Sequence, residues 1–312
     1  MNTSANKPKI IVICGATAVG KTSAAIDLAG IFNGEIISAD SRQIYRYMNI
    51  GTAKPAPEQL AEIRHYIIDF IDPDQHFDAG QFAGMAHEII LKLLRKNQLP
   101  FVVGGTGLYI KALLNGLFED NISDTSIRER LKQEAEDYGK TALYDRLRKI
   151  DPETANRLHP NDIYRIIRAL EVFEISGNPI SKRHREHRFS ELRYRVLKLG
   201  LYLDREILYK RIDQRVDTMI SEGLIEEVRA ILKQGYSPDL KSMKAIGYSH
   251  VIDYLMGNCS LDDAVKTLKR DTRRYSKRQM TWFRADPEIN WIKPSEINTI
   301  MPLINKFLER NI

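Results

Sequence analysis

The sequence predicts an α/β fold, with a parallel sheet flanked by helices and an inserted all-helical domain. Residues 15–22 read GATAVGKT, which matches the phosphate-binding pattern G-x-x-x-x-G-K-[ST]. An apolar, β-branched run precedes this loop, and a segment with helical spacing of apolar residues follows it. The same alternation of strand and helix returns further along the chain. That alternation is typical of a parallel sheet with helices on both faces.

The first strand is KIIVICG at residues 9–15, and the helix TSAAIDLAGIF begins at residue 22. In this context the backbone N–H groups of the loop and the N-terminus of the helix converge on one anion. The lysine neutralises phosphate oxygens, the glycines permit close backbone approach, and the final hydroxyl can ligate a metal or a phosphate. The order of elements indicates a P-loop NTPase-like core. The diphosphate- or nucleotide-binding residues are Gly15, Ala16, Thr17, Ala18, Val19, Gly20, Lys21 and Thr22, with Thr22 also the candidate metal ligand.

Further strands are predicted at EIISAD (35–40), LPFVVGGTG (99–107), RVLKLGLYLD (195–204) and INWIK (289–293). Functional residues of a parallel sheet collect at the carboxyl ends of its strands. Asp40 and Thr106 stand at two such ends. They are therefore the first candidates for chemistry outside the glycine-rich loop.

The alternation stops between about residues 116 and 195, where the segments are helical in period. Asp, Thr or Asn precede these segments as helix N-caps, and Gly177 is placed to end the last one. We therefore expect a helical insertion at 117–195, within a core formed by 1–116 and 196–312.

Composition narrows the class of protein. The chain has 312 residues and a formal net charge of +6, which makes a polyanionic partner plausible. Cys14 and Cys259 lie far apart, so neither a disulfide framework nor a zinc site is indicated. There is no signal-peptide core and no apolar run of about 18 residues. A cytoplasmic protein without a membrane span is expected.

The strand endings bear on which phosphate the loop holds. Enzymes that hydrolyse ATP or GTP usually end a second apolar strand in a metal-binding Asp, but FVVGG here ends in Gly-Gly-Thr. The guanine-reading pattern NKxD is also absent. ATP or any other diphosphate would satisfy the loop. Asp40 can be a general base facing an acceptor, a helix N-cap or a magnesium ligand.

Several long blocks resemble the signature blocks of the tRNA dimethylallyltransferases, also called tRNA isopentenyltransferases. In chain order they are GATAVGKT, SADSRQIYRYMNIGTAKP, VGGTGLYIKALLNGL, HPNDIYRIIRALEVF, DREILYKRIDQRVDTMISEGLIEEV, AIGY and TRRYSKRQMTWFR. The resemblance implies transfer of the dimethylallyl group from dimethylallyl diphosphate to N6 of adenosine 37 in tRNA. The acceptors are tRNAs that read codons beginning with U, and the products are N6-(dimethylallyl)adenosine and diphosphate. Some relatives carry a C-terminal zinc finger, whereas this chain has no such Cys/His set.

Three residues are candidates for catalytic roles. An adenine N6 amine is a poor nucleophile, and Asp40 is the candidate acceptor of its proton. Thr106 matches a family threonine that contacts substrate, whereas its position alone is equally that of a helix N-cap. Arg215 matches the family's catalytic arginine and, with Lys21 and Mg²⁺, would stabilise the departing diphosphate. Arg211 lies four residues before Arg215 on the same helical face. It either approaches the same anion or is a solvated neighbour.

The resemblance also identifies tRNA contacts. They are Asp40, Ser41, Arg42, Gln43, Thr106, Arg128, Tyr164, Arg165, Ile166, Ile167 and Arg168. Gln43 can present a donor and an acceptor to a base edge. His65 matches a family histidine near the site, with a structural role at least equally open.

Basic residues concentrate at 181–195 and at 266–284. The second stretch places Lys266, Lys269, Arg270, Arg273, Arg274, Lys277 and Arg278 along one helix, as either a solvated face or a phosphate-binding surface. Its aromatic residues Tyr275, Trp282 and Phe283 are expected in the core. With MKAIGY (243–248), these regions suggest a clamp around an anticodon stem-loop.

Two other functions remain open from the residues alone. A small-molecule kinase shares the phosphate loop and the strand-end Asp, but does not need two basic RNA-facing regions. An RNA-binding protein with a nucleotide switch would use the loop without chemistry. A monomer is the expected state of the protein.

Overall fold

A computed structural model describes residues 7–116, 124–182 and 193–309. The strands are β1 (Lys9–Gly15), β2 (Gly34–Ser38), β3 (His65–Tyr66), β4 (Leu99–Gly104), β5 (Arg195–Leu201) and β6 (Asn290–Ile292). They form one sheet in the order β3-β2-β4-β1-β5-β6, and every pairing in it is parallel. The predicted α/β fold class is confirmed.

The central strand β1 lies between β4 and β5. Its residue Ile13 pairs with Val103 on one side and with Leu199 on the other. Residues 10–14 are all buried, as expected for a strand with helices over both faces of the sheet. The five predicted strands are present, and several end earlier than the sequence suggested. Asp40 and Thr106 consequently lie in the loops just beyond β2 and β4.

The strand β3 was not predicted. It has two residues, His65 and Tyr66, which pair with Ile36 and Ile37 at the edge of the sheet. Two residues cannot show an alternating pattern. The pairing depends on β2, which is distant in sequence, so no local pattern predicts it.

Helices fill the chain between and after the strands. In chain order they are α1 (Lys21–Ile31), α2 (Pro57–Glu62), α3 (Ala79–Arg95), α4 (Gly107–Asn115), α5 (Thr125–Asp137), α6 (Lys140–Ile150), α7 (Pro152–Arg157), α8 (Ile163–Ser176), α9 (Arg205–Ser221), α10 (Leu224–Lys233), α11 (Tyr248–Leu255), α12 (Leu261–Arg284) and α13 (Met301–Glu309), with a 3-10 helix at Pro294–Ile300. Side-chain caps mark several starts. Asp78 accepts from the Gly80 and Gln81 amides at α3, and Ser260 accepts from the Asp263 amide at α12.

The chain divides into two compact units. The first comprises 1–114 and 192–312, and the second comprises 115–191. The sequence placed the inserted helices at 117–195, but Arg195 is the first residue of β5 and pairs with Lys9. Gly177 ends α8 in the left-handed conformation, with a φ of 68°, as its position predicted.

The second unit has its own hydrophobic core, formed by α5, α6, α7 and α8. Leu131, Leu147, Ile166 and Leu170 are fully buried in it. Most of the basic stretch at 181–195 lies outside the described residues. Within the described ranges, no helix has the length and apolar character that a membrane span requires.

Candidate active site

The phosphate-binding loop joins the end of β1 to the start of α1. Gly15 has a φ of 143°, and a Cβ there would lie 2.5 Å from the carbonyl oxygen of Leu201. Gly20 caps α1 with a φ of 103°, a conformation that glycine adopts without strain. The first-turn amides of α1 have no acceptor within their own helix. Loop and helix therefore present the backbone N–H groups that the predicted anion cradle requires.

Lys21 is folded back over this cradle. Its Nζ donates to the carbonyl oxygen of Ala16 at 2.7 Å. Burial lowers the pKa of Lys21 to about 8, with Asp40 opposing that shift and Arg215 adding to it. The ammonium is therefore held where its charge is incompletely solvated, a condition that a bound anion would relieve.

Two arginines of α9 approach the same loop. Nη1 of Arg215 donates to Oγ1 of Thr17 at 3.4 Å. Nη1 of Arg211 lies 3.9 Å from the point that a Cβ on Gly20 would occupy. Burial lowers the pKa of Arg215, and the charge of Arg211 lowers it further. Arg211 is thus directed at the cradle although its side chain is exposed.

Hydrogen bonds join the loop after β2 to the loop after β4. Oγ1 of Thr106 accepts from the Ser41 amide at 3.0 Å, and the Thr106 amide donates to the Ala39 carbonyl at 3.2 Å. Gly104 makes this approach possible, because a Cβ there would lie 2.1 Å from the Ala39 oxygen. Thr106 immediately precedes α4, but its hydroxyl reaches across to the neighbouring loop.

Asp40 uses one carboxylate oxygen locally. Its Oδ1 accepts from the amides of Arg42 at 2.8 Å and Gln43 at 3.4 Å, which caps the following turn. Within the described chain, Oδ2 has no hydrogen-bond donor. The capping role and a role as proton acceptor are therefore compatible, because each uses a different oxygen.

The charge of Asp40 affects the pKa values of residues in several elements. It opposes the lowering of the Lys21 pKa. Burial raises the pKa of Tyr275 to about 12, with Asp40 contributing next. The pKa of Tyr109 is raised by burial, by Tyr45 and by Asp40. Asp40 is thus grouped with the phosphate-loop lysine and with phenols from α4 and α12.

Gln43 directs its amide into the protein. Nε2 donates to the carbonyl oxygens of Thr52 at 3.3 Å and Ala53 at 3.0 Å, while Oε1 accepts from Ser38 Oγ at 3.2 Å. The amide predicted to read a base edge is therefore occupied in holding this loop. Arg42 likewise donates from Nη1 to the Lys241 carbonyl at 3.1 Å.

His65 occupies the edge strand β3. Its Nδ1 lies 2.8 Å from the Ile63 carbonyl oxygen, and burial lowers its pKa. Since a carbonyl only accepts, Nδ1 carries the proton in this contact. The geometry favours the structural alternative for this residue.

In the second unit, two candidate tRNA contacts share one buried carboxylate. Arg128 Nε lies 2.8 Å from Glu171, and Arg168 Nη1 lies 2.9 Å from it. The Glu171 side chain is fully buried, whereas those of Arg128 and Arg168 are 42% and 35% exposed. Each guanidinium is therefore fixed by Glu171 while its side chain stays partly exposed.

The segment 164–168 does not present all of its residues to solvent. Tyr164 is 81% exposed, and Arg165 pairs with Asp162 at 3.5 Å. Ile166 and Ile167 are buried in the core of this unit, because the helical period of α8 turns them inward. Any tRNA contact of Ile166 and Ile167 would therefore use the backbone, while Tyr164, Arg165 and Arg168 offer exposed or partly exposed side chains.

The cations of α12 divide into two sets. Arg273 pairs with Asp213, Lys269 with Asp217, and both Arg270 and Arg274 with Asp271. Among described residues, Lys266, Lys277 and Arg278 have no carboxylate partner. Among the described residues of α12, that second set and Arg284 keep charges that no carboxylate compensates, as binding of an RNA phosphate would require.

The aromatic residues of α12 depart in part from expectation. Phe283 is buried, as predicted, whereas Trp282 is 44% exposed and Tyr275 is half-buried. The Trp282 indole lies against the first residue of α4, where Nε1 would be 2.1 Å from a Cβ on Gly107. The core assignment is therefore wrong for Trp282.

One buried polar residue of α12 was missed from the sequence. Gln279 accepts from the Thr17 amide through Oε1 at 2.8 Å and donates from Nε2 to the Gly105 carbonyl at 2.9 Å. It shares the buried face of α12 with Ala264, Leu268 and Phe283. The sequence signal that could have identified it is a polar residue at a position where the helical period of α12 places apolar residues.

Comparison with known proteins identifies close relatives. The family model described as IPP transferase matches residues 43–286. The tRNA dimethylallyltransferase of Desulfosudis oleivorans is 50% identical over 303 residues, covering 97% of this chain and 96% of that protein. A tRNA isopentenylpyrophosphate transferase of Bacillus halodurans has a similar crystal structure, with a TM-score of 0.73, 40% identity and 98% coverage of both chains. A eukaryotic dimethylallyltransferase, captured acting on tRNA, gives a TM-score of 0.82 at 28% identity, covering 97% of this chain and 80% of that one.

Proposed function

The chain belongs to the IPP transferase family, and from that membership we propose that it is a tRNA prenyltransferase using dimethylallyl diphosphate. It transfers the dimethylallyl group to N6 of adenosine 37 in tRNAs that read codons beginning with U. The products are N6-(dimethylallyl)adenosine and inorganic diphosphate.

The proposal rests on one observation: three cationic side chains lie at the phosphate-binding loop, close to the residues that follow β2 and β4. Lys21, Arg211 and Arg215 surround the loop, and Asp40 acts electrostatically on Lys21. A diphosphate leaving group gains negative charge as its C–O bond breaks. A carboxylate beside that position suits an acceptor that must lose a proton.

The reaction exchanges the C1–O bond of the dimethylallyl group for a C1–N bond. The nitrogen lone pair at N6 forms a bond with C1 of the dimethylallyl group, while the C1–O bond breaks and its electron pair stays on the diphosphate. Asp40 Oδ2 accepts the N6 proton, and Oδ1 continues to cap the turn at Arg42. Lys21, Arg215 and the amides at the start of α1 stabilise the diphosphate oxygens. Thr106 fixes the loop that carries Asp40.

Mg²⁺ is the proposed cofactor. Thr22 fits it, because its hydroxyl supplies an oxygen ligand that Mg²⁺ accepts beside phosphate oxygens and water. Among the described residues, Thr22 Oγ1 has no hydrogen-bond partner, and no group of three or more His, Cys, Asp or Glu could hold a metal. Magnesium bound here would neutralise charge on the diphosphate.

ATP carries the same diphosphate unit, and we expect it to compete for the cradle without donating a phosphoryl group. The proposed partners are tRNA and dimethylallyl diphosphate. The proposed state is a cytoplasmic monomer, since one chain contains both the cradle and the candidate acceptor loops.

Mass spectrometry of an unmodified anticodon-arm oligonucleotide tests the proposal. After incubation with the protein, Mg²⁺ and dimethylallyl diphosphate, we expect one added dimethylallyl group at the adenosine just 3′ of the anticodon. Replacing that adenosine by guanosine is the matched control and should abolish the gain. Phosphate transfer from ATP to the RNA, with no gain from dimethylallyl diphosphate, would refute the proposal.

A further inference from the structure

We propose that Gln279 is a positioning residue that fastens the phosphate-binding loop to the loop after β4. Its side chain hydrogen-bonds to both segments. This inference rests on the proposed function, because it concerns how the two halves of that site are held in register.

The geometry of the bridge uses both ends of the amide. Oε1 accepts from the Thr17 N–H at 2.8 Å, and Nε2 donates to the Gly105 carbonyl oxygen at 2.9 Å. The side chain is 6% exposed. A buried amide with both ends bonded stabilises one arrangement of its partners, and an apolar replacement leaves both of them unsatisfied.

Each partner of Gln279 is adjacent to a reacting group. Thr17 also accepts from Arg215 through its hydroxyl, and it lies in the loop on which Lys21 closes. Gly105 precedes Thr106, whose hydroxyl holds the Ser41 amide beside Asp40. The bridge thus connects the diphosphate side of the site to the side that carries the proton acceptor.

The surrounding backbone is shaped for this side chain. A Cβ on Gly105 would lie 2.2 Å from Nε2 of Gln279, so only glycine leaves room for the amide. The Thr17 amide is already used by Gln279. The anion is therefore left to the amides that follow, at the start of α1.

Displacing one loop relative to the other moves the breaking C–O bond away from the acceptor. A misplacement of about 1 Å lowers turnover on the order of a hundredfold. Candidate tRNA contacts elsewhere, such as Arg128, are not connected to the bridge. Gln279 should therefore affect kcat and diphosphate affinity more than the KM for tRNA.

The first variant is Gln279→Met, which keeps the volume and removes both hydrogen bonds. We expect kcat to fall on the order of tenfold to a hundredfold, with weaker binding of inorganic diphosphate by calorimetry. The KM for tRNA should stay within about twofold. Gln234→Met is the matched control, because Gln234 is exposed at the end of α10.

The second variant, Gln279→Glu, separates positioning from mere packing. When protonated, the introduced carboxyl accepts from Thr17 and donates to Gly105 as the amide does. When ionised, it loses the donor and repels the Gly105 oxygen. The ratio of its kcat to the wild-type kcat should therefore rise as the pH falls from 8 to 5.5, by up to about tenfold per unit.

Among the described residues, Arg215 contacts Thr17 and Tyr275 contacts Gln279, while Lys21 and Asp40 belong to the two sides that the bridge connects. All four are present in both enzymes, so the wild-type pH dependence is divided out of this ratio. A flat ratio would overturn the proposal, and so would wild-type kcat and diphosphate affinity in Gln279→Met. If Gln279→Met does not fold, the pH ratio of Gln279→Glu still decides. Wild-type enzyme that fails to prenylate RNA would refute the proposed function instead, while diphosphate binding would still test the bridge.

Discussion

In the core, Lys21, Arg211 and Arg215 gather at the phosphate-binding loop without forming an ion pair to any described carboxylate. In the helical unit, the arginines are paired: Arg128 and Arg168 contact Glu171, and Arg130 and Arg146 contact both Glu134 and Glu174. The first arrangement leaves cationic charge for a ligand to neutralise. The second fixes each guanidinium within the folded protein.

The difference has an energetic consequence. Burial lowers the pKa values of Lys21 and Arg215, so their charges destabilise the core until an anion arrives. Binding that is specific for the folded state stabilises it. The helical unit gains its ion-pair energy without a ligand. Diphosphate should therefore stabilise the core, and the helical unit should depend on its own glutamates.

The largest expected effect is on turnover, and it comes from Asp40, whose carboxylate acts electrostatically on Lys21. Asp40→Asn keeps an Oδ1 that can cap the Arg42 amide and removes the proton acceptor. We expect kcat to fall by about 10² to 10⁴, with melting temperature nearly unchanged. Affinity for inorganic diphosphate should not fall, because a negative charge has left the neighbourhood of an anion. Unchanged turnover would reduce Asp40 to its capping role.

The next effect tests the unpaired arginine. Arg215→Gln removes the charge that reaches Thr17, and we expect kcat to fall by about 10² to 10³ as transition-state stabilisation is lost. Lys210→Gln, on the same helix but exposed, is the matched control and should retain activity. Equal losses in both variants would indicate a general effect of positive charge on α9.

The sequence predicted these core residues better than it predicted how they are supported. β1 and the phosphate loop were evident because an apolar run and a local motif lie side by side. Gln279 was missed because its partner Thr17 is 262 positions away. The amide of Gln43 was assigned to a base edge, but Ser38, Thr52 and Ala53 occupy it. Ile166 and Ile167 were included in the predicted tRNA-contacting segment, and their helical period turns both side chains inward.

A pH titration distinguishes the unpaired lysine. The pKa of Lys21 is lowered to about 8, so Lys21 is mostly protonated at pH 7 and mostly neutral at pH 9. The Kd for inorganic diphosphate should rise above pH 8 by up to about tenfold per unit. Lys21→Arg keeps its charge in this range, so its Kd should rise less steeply. Parallel curves for the two proteins would contradict the assignment.

The same lysine makes a prediction about stability. Its folded pKa lies below the ordinary value of 10.5, so the unfolded chain binds more protons between about pH 8 and 10.5. Stability from this group therefore rises with pH across that window. Denaturant titrations at pH 7 and 9.5 should show this rise in the free energy of unfolding for the wild type. The Lys21→Met variant should not show it.

The smallest effects belong to the paired arginines. Glu171→Gln removes the anchor of Arg128 and Arg168, and we expect tRNA affinity to fall by about threefold to tenfold. Glu129→Gln, on the exposed side of α5, is the matched control. Wild-type tRNA affinity in Glu171→Gln would show that the pairing does not position these arginines for RNA.

Acid unfolding gives an independent measure of this anchor. Burial raises the pKa of Glu171, but hydrogen bonds from Arg168 and Arg128 outweigh it, and the net pKa is lowered. The stability it contributes is present above the ordinary glutamate pKa and lost as the pH falls through the folded value. Glu171→Gln should lack this part of the acid-induced loss in thermal melts.

The most direct test measures two affinities on two variants. Calorimetry with inorganic diphosphate and filter binding with tRNA would be carried out on Arg215→Gln and Glu171→Gln. If core cations serve the diphosphate and the paired arginines serve RNA, Arg215→Gln weakens diphosphate binding about tenfold or more and leaves tRNA binding within twofold. Glu171→Gln should show the reverse pattern. Equal losses of both affinities in both variants would contradict the division of labour between the two regions.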